Sequence, residues 1–370
     1  MAELINSGEI ASKHLRNCCA KKPFMIVLII CLVVFCLVIL NGCTSKNKST
    51  LSEIKEKELD HKKTNKVRKQ KSPKELLRDV HFWAYQIQKQ DNGKNMEQLA
   101  NSHYDLLVMD QTRSLKGDED YDSKEDVALV KNSSNSRGGR KLVICYIDVG
   151  EAESYRWYWQ KGWKVGNPDW IVGEDPDGWD ENYPVKFWQP EWKDIMKKNI
   201  DRIIEDGYDG VYLDWLEVYS FEPVAEVARA EGLEPHEALA DFVAELFEHA
   251  RAKKPDFLFI AQNAAELGTF PEYTKLFDAI AQEAVWYDGA GDPDTAESPG
   301  DEPWDPDESQ ELVYLLEEWQ KLGTPVLNVE YAQESANVKR AYKLGKENGF
   351  RTYVTLRPLD RLTSTPPPGY

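Results

Sequence analysis

The strongest constraint on the fold is an alternation repeated eight times. From His81 onward, short apolar runs rich in strand-favouring residues alternate with stretches of helical or loop character. The runs are FWAYQIQ (82–88), YDLLVMD (104–110), KLVICYIDVG (141–150), DGVYLDW (209–215), FLFIAQNA (257–264), FDAIAQEAVWY (277–287), PVLNVEYA (325–332) and RTYVTLR (351–357). Nearly continuous apolar strands separated by helices indicate a parallel sheet covered on both faces. Two of the helices are plain. Residues 190–207 carry Ile195, Ile200, Ile203 and Ile204 at helical spacing before a glycine stop, and residues 235–254 repeat the pattern with Leu239, Phe242, Val243, Leu246 and Phe247. Eight such units predict a single α/β domain over residues 79–360, a (β/α)8 TIM barrel. The alternative is an open doubly wound sheet, and no G-x-G-x-x-G follows the first strand to support a dinucleotide-binding version.

Side chains on a strand alternate between faces, so residues two apart share one. Leu106, Val108 and Asp110 fall together, as do Ile144, Tyr146 and Asp148, then Tyr212 and Asp214. Ala261 and Asn263 share a face in the fifth run, Ala279, Ala281 and Glu283 in the sixth, and Asn328 and Glu330 in the seventh. If each of these faces is the barrel interior, the acids gather at the C-terminal rim, where barrel enzymes keep their active sites. The six histidines are scattered and the body carries one cysteine, Cys145, within an apolar run. A His-based triad, a zinc centre and a disulfide framework are therefore not expected, nor is any cofactor or metal. A pocket of carboxylates suits glycosidic cleavage, in which one acid protonates the leaving oxygen while another attacks carbon or activates water.

Charge divides the chain. Residues 1–43 are net +2 and residues 44–78 net +7, so the stated −18 for the whole leaves −27 on residues 79–370. So acidic a body argues against nucleic acid and suits a cationic ligand. The basic leader KKPFMIVLIICLVVFCLVILNGC reads as an export segment: two lysines, an apolar run from Phe24 to Leu40, then Cys43. LNGC resembles a bacterial lipobox, which would make Cys43 a lipidation site; an uncleaved anchor over the same run is the alternative. Both place the protein outside the cytoplasm and on a membrane, as a lipoprotein or anchored protein, or else secreted. Residues 44–78 read as a flexible basic tether and residues 361–370 as a Pro-rich tail.

Seven of the twelve tryptophans lie between residues 157 and 192, in a long connection after the third run. Most are expected to pack that loop, with some left to meet the faces of sugar rings. The acidic, Pro-rich segment 289–309 is a candidate lid.

The stretches YIDVGEAESYRWYW, NYPVKFWQPEW, GYDGVYLDWLEVY, AQNAAEL and QEAVWYD together resemble the motifs of glycoside hydrolase family 114 across roughly residues 80–357. These are the endo-α-1,4-polygalactosaminidase-like barrels. The resemblance implies metal-free hydrolysis of an α-1,4-linked, galactosamine-rich polysaccharide with retention of configuration. It places the nucleophile at Asp214 and the acid/base at Glu283, with Glu330 in reserve. Candidate substrate-binding residues are Trp83, Tyr85, Asp110, Tyr146, Asp148, Glu151, Tyr212, Asn263, Tyr287, Glu330 and Tyr331. Two other readings compete: a polysaccharide-binding lipoprotein on the same barrel without turnover, and an envelope scaffold with no sugar ligand.

Overall fold

A computed structural model describes residues 71–363, apart from 91–92, 112–122, 177 and 290–298. The anchor segment with Cys43, the tether up to residue 70, the centre of the proposed lid and the tail from residue 364 lie outside the described residues.

The strands are β1 (Trp83–Tyr85), β2 (Leu106–Asp110), β3 (Leu142–Asp148), β4 (Glu151–Glu153), β5 (Asn182–Pro184), β6 (Gly210–Asp214), β7 (Leu258–Gln262), β8 (Ala279–Glu283), β9 (Tyr287–Asp288), β10 (Glu302–Pro303), β11 (Val326–Tyr331) and β12 (Arg351–Thr355). Eight of them form one parallel sheet in the order β1-β2-β3-β6-β7-β8-β11-β12. The ends of this sheet meet through side chains: the Trp83 indole donates to the Arg351 carbonyl at 2.6 Å, and its ring lies 6.1 Å from that of Tyr353. The result is a nearly closed (β/α)8 TIM barrel. β4–β5 and β9–β10 are small antiparallel pairs above it.

The helices are α1 (Pro73–Arg78), α2 (Gly93–Asn101), α3 (Lys124–Lys131), α4 (Pro190–Asp206), α5 (Glu222–Ala230), α6 (Pro235–Lys253), α7 (Pro271–Thr274), α8 (Pro306–Lys321) and α9 (Ser335–Glu347). α4 opens on a proline and stops at Gly207, whose φ of 96° is open to glycine but strained for other residues. It buries Trp192, Met196, Ile200 and Ile203. α1 corrects the tether boundary. A reciprocal cap between Ser72 and Glu75 starts this helix and Leu77 is buried beneath it, so the folded body begins before residue 79.

Acids mark both ends of the barrel, with different partners. At the strand starts, Asp105 accepts the amides of His81 and Phe82, Asp209 that of Val143, and Asp278 that of Phe259. Each also has cations: Arg137 for Asp105, Arg140 and Lys131 for Asp209, Arg251 and Lys74 for Asp278. Those charges are neutralised and tie neighbouring strands together, a stability role at the N-terminal face. The acids at the opposite rim are arranged otherwise.

Register settles which residues face inward, because paired residues of parallel neighbours share a face. Asp148 pairs with Asp214, Tyr146 with Tyr212 and Asp110 with Tyr146, so parity predicts this part of the rim correctly. It errs twice. Leu213 pairs with Ala261, so the inward residues of β7 are Ile260 and Gln262 instead of Ala261. Glu283 pairs with Val329, which turns Asn328 and Glu330 outward and leaves Val329 and Tyr331 inside.

Candidate active site

A cleft of about 420 Å³ opens at the C-terminal rim, within the size range of ligand sites. Among the described residues, eight carboxylic acids line it (Asp110, Asp148, Glu151, Glu153, Asp180, Asp214, Glu217 and Glu283), against two arginines, Arg156 and Arg357.

Asp214 ends β6. Its Oδ2 accepts the Tyr146 hydroxyl at 2.6 Å and its Oδ1 the Trp215 amide at 2.8 Å. Trp215 has a φ of 53°, and the Trp215 carbonyl lies where a Cβ on Gly150 would stand, at 2.2 Å. Only glycine lets the β3–β4 turn pack this tightly against the end of β6. Burial, then the nearby Glu283 charge, push the Asp214 carboxyl up to about 7; the Tyr146 bond and the Trp215 amide oppose that rise.

Glu283 ends β8 and accepts from Arg357 Nη1 at 2.5 Å. Arg357 lies 5.1 Å over the Tyr331 ring, which helps hold the guanidinium in place. The Glu283 backbone is anchored by Asn263, whose Oδ1 accepts its amide at 3.1 Å. Parity turns Asn263 away from the cleft, yet its left-handed backbone, with φ 56°, brings the side chain into the wall. Ala284, directly after Glu283, is left-handed as well, with φ 51°. Such conformations after three neighbouring strand ends are strain concentrated at the rim, a pattern of functional sites.

The remaining acids form two networks. Asp148 Oδ1 accepts the amides of Gly150 and Glu151, fixing the turn that follows β3. Burial, then Glu151 and Asp214, raise its carboxyl well above the ordinary range. Arg156 joins Glu153, at 2.7 and 2.9 Å, to Asp110, where Nη1 donates to both oxygens at 2.8 Å. Burial outweighs that arginine and lifts Asp110 to about 6. Glu217, on the short 3-10 turn after Trp215, is pushed to about 8 by burial and by Asp214.

The cleft thus gathers Tyr85, Asp110, Tyr146, Asp148, Glu151, Asn263, Asp214 and Glu283. Five other candidates lie elsewhere. Trp83 stands at the bottom of β1, two residues below Tyr85, with its indole on Arg351. Tyr212 forms the layer beneath, its ring 5.0 Å from Tyr85. Tyr331 is buried below Arg357, with its hydroxyl beside both that guanidinium and Glu283. Tyr287 packs behind the barrel with Ala332, Ala341, Tyr342 and Val354. Glu330 is fully buried outside the sheet, where it accepts the amides of Val285, Trp286 and Tyr287 and the Asn328 side chain. Its acceptors are committed to folding the chain back after β8.

Of the seven clustered tryptophans, Trp179 reaches the cleft. Trp157, Trp159, Trp163, Trp170, Trp188 and Trp192 pack the loop onto the core, largely edge to face. Sequence reasoning missed Glu153, Arg156, Glu217, Gln262 and Arg357. Arg357 had a signal, since it shares strand parity with the inward Tyr353.

These raised carboxyls set a stability trend. Asp110, Asp214 and Glu217 bind protons more tightly folded, at about 6, 7 and 8, than unfolded, near 3.8 to 4.5. The folded state therefore carries more protons between pH 5 and 7.5, and stability falls as pH rises across that window. The melting temperature is expected to be higher at pH 5 than at pH 7.5 by on the order of 5 °C. A flat or rising profile in calorimetry would contradict it.

A family model described as glycoside hydrolase family GH114 matches residues 63–367. A protein of Deinococcus radiodurans is 34% identical over 296 residues, covering 80% of this chain and 87% of its own. MJ1477 of Methanocaldococcus jannaschii is 32% identical, covering 76% and 78%. Among solved structures, the glycoside hydrolase domain of PelA from Pseudomonas aeruginosa superposes with a TM-score of 0.53 at 20% identity, over 76% of this chain and 97% of that one. Aspergillus fumigatus Ega3, solved in complex with galactosamine, gives 0.51 at 16% identity, over 80% and 96%. These two likenesses bear on the fold.

Proposed function

This chain belongs to glycoside hydrolase family GH114, and on that premise we propose that it cleaves α-1,4-linked, galactosamine-rich polysaccharide by a two-carboxylate, retaining mechanism. The observation that carries the reading is the meeting of Asp214 and Glu283, from β6 and β8, in one acidic cleft and close enough for the charge of one to raise the proton affinity of the other. Retention needs one of the pair protonated and the other ionised. A proton affinity near 7 on Asp214, one member of the pair, supplies that proton through the mildly acidic range.

Asp214 is the proposed nucleophile. The Tyr146 hydroxyl and the Trp215 amide donate to it, steadying its anion and aiming it into the cleft. Glu283 is the proposed acid/base. Its carboxylate is held in place by Arg357 Nη1 at 2.5 Å. Attack requires Asp214 to be ionised, and a cationic sugar beside it favours that state by lowering its proton affinity.

Eight acids against two arginines favour a polymer bearing free amines. We further propose that it acts outside the cytoplasm, on a membrane, held by the apolar segment 24–40 or by lipidation at Cys43. The test is incubation of the protein with partly de-N-acetylated poly-galactosamine and with chitosan, the products read by mass spectrometry. Shorter oligomers from the galactosamine polymer are expected; products from chitosan alone would overturn the sugar assignment.

A further inference from the structure

Two polar side chains of the cleft have no part in the chemistry described so far. Glu217 follows Asp214 by three residues, on the short 3-10 turn Leu216–Tyr219. The left-handed Trp215 turns the chain between them, and both carboxyls line one cleft. Gln262 ends β7, the strand between those of Asp214 and Glu283. Leu213 pairs with Ala261, which sets Gln262 level with Asp214 on the inward face. Gln262 lines the cleft while only 2% exposed.

Each of the two keeps one acceptor unused. Glu217 Oε2 and Gln262 Oε1 are both buried without a hydrogen-bond partner. A buried acceptor in that state is costly to the fold, and a ligand that brings the donor removes the cost. Other acids of this part of the rim are committed: Asp148 to the amides of Gly150 and Glu151, Glu283 to Arg357. Burial and the Asp214 charge push Glu217 up to about 8, so it stands mostly uncharged near neutral pH. An ammonium brings donors for both acceptors and the charge that lets Glu217 ionise, its proton passing to solvent.

Position identifies which ammonium. The proposed nucleophile attacks the anomeric carbon, and C2 is the next carbon of the same ring. A group that recognises the C2 substituent has to stand beside the nucleophile, as Glu217 and Gln262 do. We propose that these two residues bind the 2-amino group of the sugar whose anomeric carbon Asp214 attacks, Glu217 selecting its charge and Gln262 accepting an N–H. This rests on the reading of the enzyme as an amino-sugar hydrolase with Asp214 as nucleophile. It adds a rule for where the polymer is cut. An N-acetylated sugar brings one neutral N–H, which satisfies Gln262 and leaves Glu217 without its counter-charge, so bonds on the reducing-end side of a free amine are cut in preference.

The test reads that sugar directly, because the ring attacked at its anomeric carbon becomes the new reducing end. The full chain digests a partly de-N-acetylated poly-galactosamine of known acetyl content. New ends are labelled by reduction with borodeuteride, and the fragments are sequenced by mass spectrometry. Relative to acetyl, free amine is expected at the new ends at least about tenfold more often than in the polymer. Glu217→Gln should bring that enrichment down to about threefold or less and lower kcat/KM about tenfold or more. Glu217→Ser should do the same, which guards against misfolding in one variant. Gln262→Leu should slow cleavage and keep the enrichment, since a neutral acceptor serves either nitrogen. Competition within one digest sets the enrichment, so a smaller folded fraction does not move it. New ends that mirror the polymer in the wild type, or an enrichment unchanged in both Glu217 variants, overturn the assignment and leave the hydrolase reading standing. A wild type that cleaves no galactosamine polymer overturns the hydrolase reading and this assignment with it.

Discussion

Glu283→Gln is expected to lower turnover of the galactosamine polymer at least ~10³-fold, with affinity changed by about threefold or less. The amide keeps the shape of the side chain and can still accept from Arg357 Nη1, so the wall of the cleft survives. On the proposed assignment, what is lost is the proton the departing sugar oxygen must receive. Asp214→Asn should cost at least as much for a different reason, because an amide beside the Tyr146 hydroxyl cannot form the covalent bond to the anomeric carbon. Azide separates the two roles. With an activated substrate, Glu283→Ala should yield a glycosyl azide of retained configuration, formed on a covalent intermediate. Asp214→Ala should yield the inverted azide, formed by direct attack. The opposite pairing of variant and product would exchange the roles, and a fully active Glu283→Gln would remove that residue from the mechanism.

The barrel was legible because its signal is redundant: eight apolar runs agree on one architecture, and a misjudged boundary costs nothing. The rim was legible only where two conditions held, correct parity and a strand that stays regular to its end. β3, β6 and β8 meet both, so Asp148, Asp214 and Glu283 come together as parity requires. In β7 the chain turns left-handed at Asn263, so the residue read as inward arrives by another route while the inward Gln262 goes unnoticed. In β11 the polar residues face away from the cleft because three amides of the chain leaving β8 need a carboxylate, and Glu330 supplies it. A strand pattern records where polar residues alternate; it does not record which distant amides they satisfy. Depth is equally hidden. Trp83 and Tyr85 share a face, but one layer separates a residue that closes the bottom of the barrel from one that lines the cleft. The arginines escape a reading of strand-end acids alone, although what an acid can do depends on its counter-ion.

Arg357 supplies the sharpest case of that dependence. Arg357→Met is expected to move the alkaline limb of the kcat/KM profile upward by about one to two pH units and to lower kcat at pH 6 about tenfold or more. The guanidinium now donates to Glu283 at 2.5 Å and also lowers the proton affinity of Asp214. Without it, two neighbouring carboxyls remain in a buried setting with less compensating charge, so the pair holds its proton to higher pH and is harder to bring to the singly protonated state on the acid side. Methionine fills much of the same space above Tyr331, which limits the packing loss. Arg357→Lys should return the profile toward that of the wild type, because the charge returns even though the planar fork is lost. A residue that merely supports the wall would lower the rate equally at every pH and leave the limb where it was. Measuring kcat/KM from pH 4 to 9 for the three proteins therefore distinguishes control of the proton from support of the fold. An unmoved limb in Arg357→Met would mean that the Asp214–Glu283 pair sets its own protonation, and the ion pair would then be a feature of packing alone.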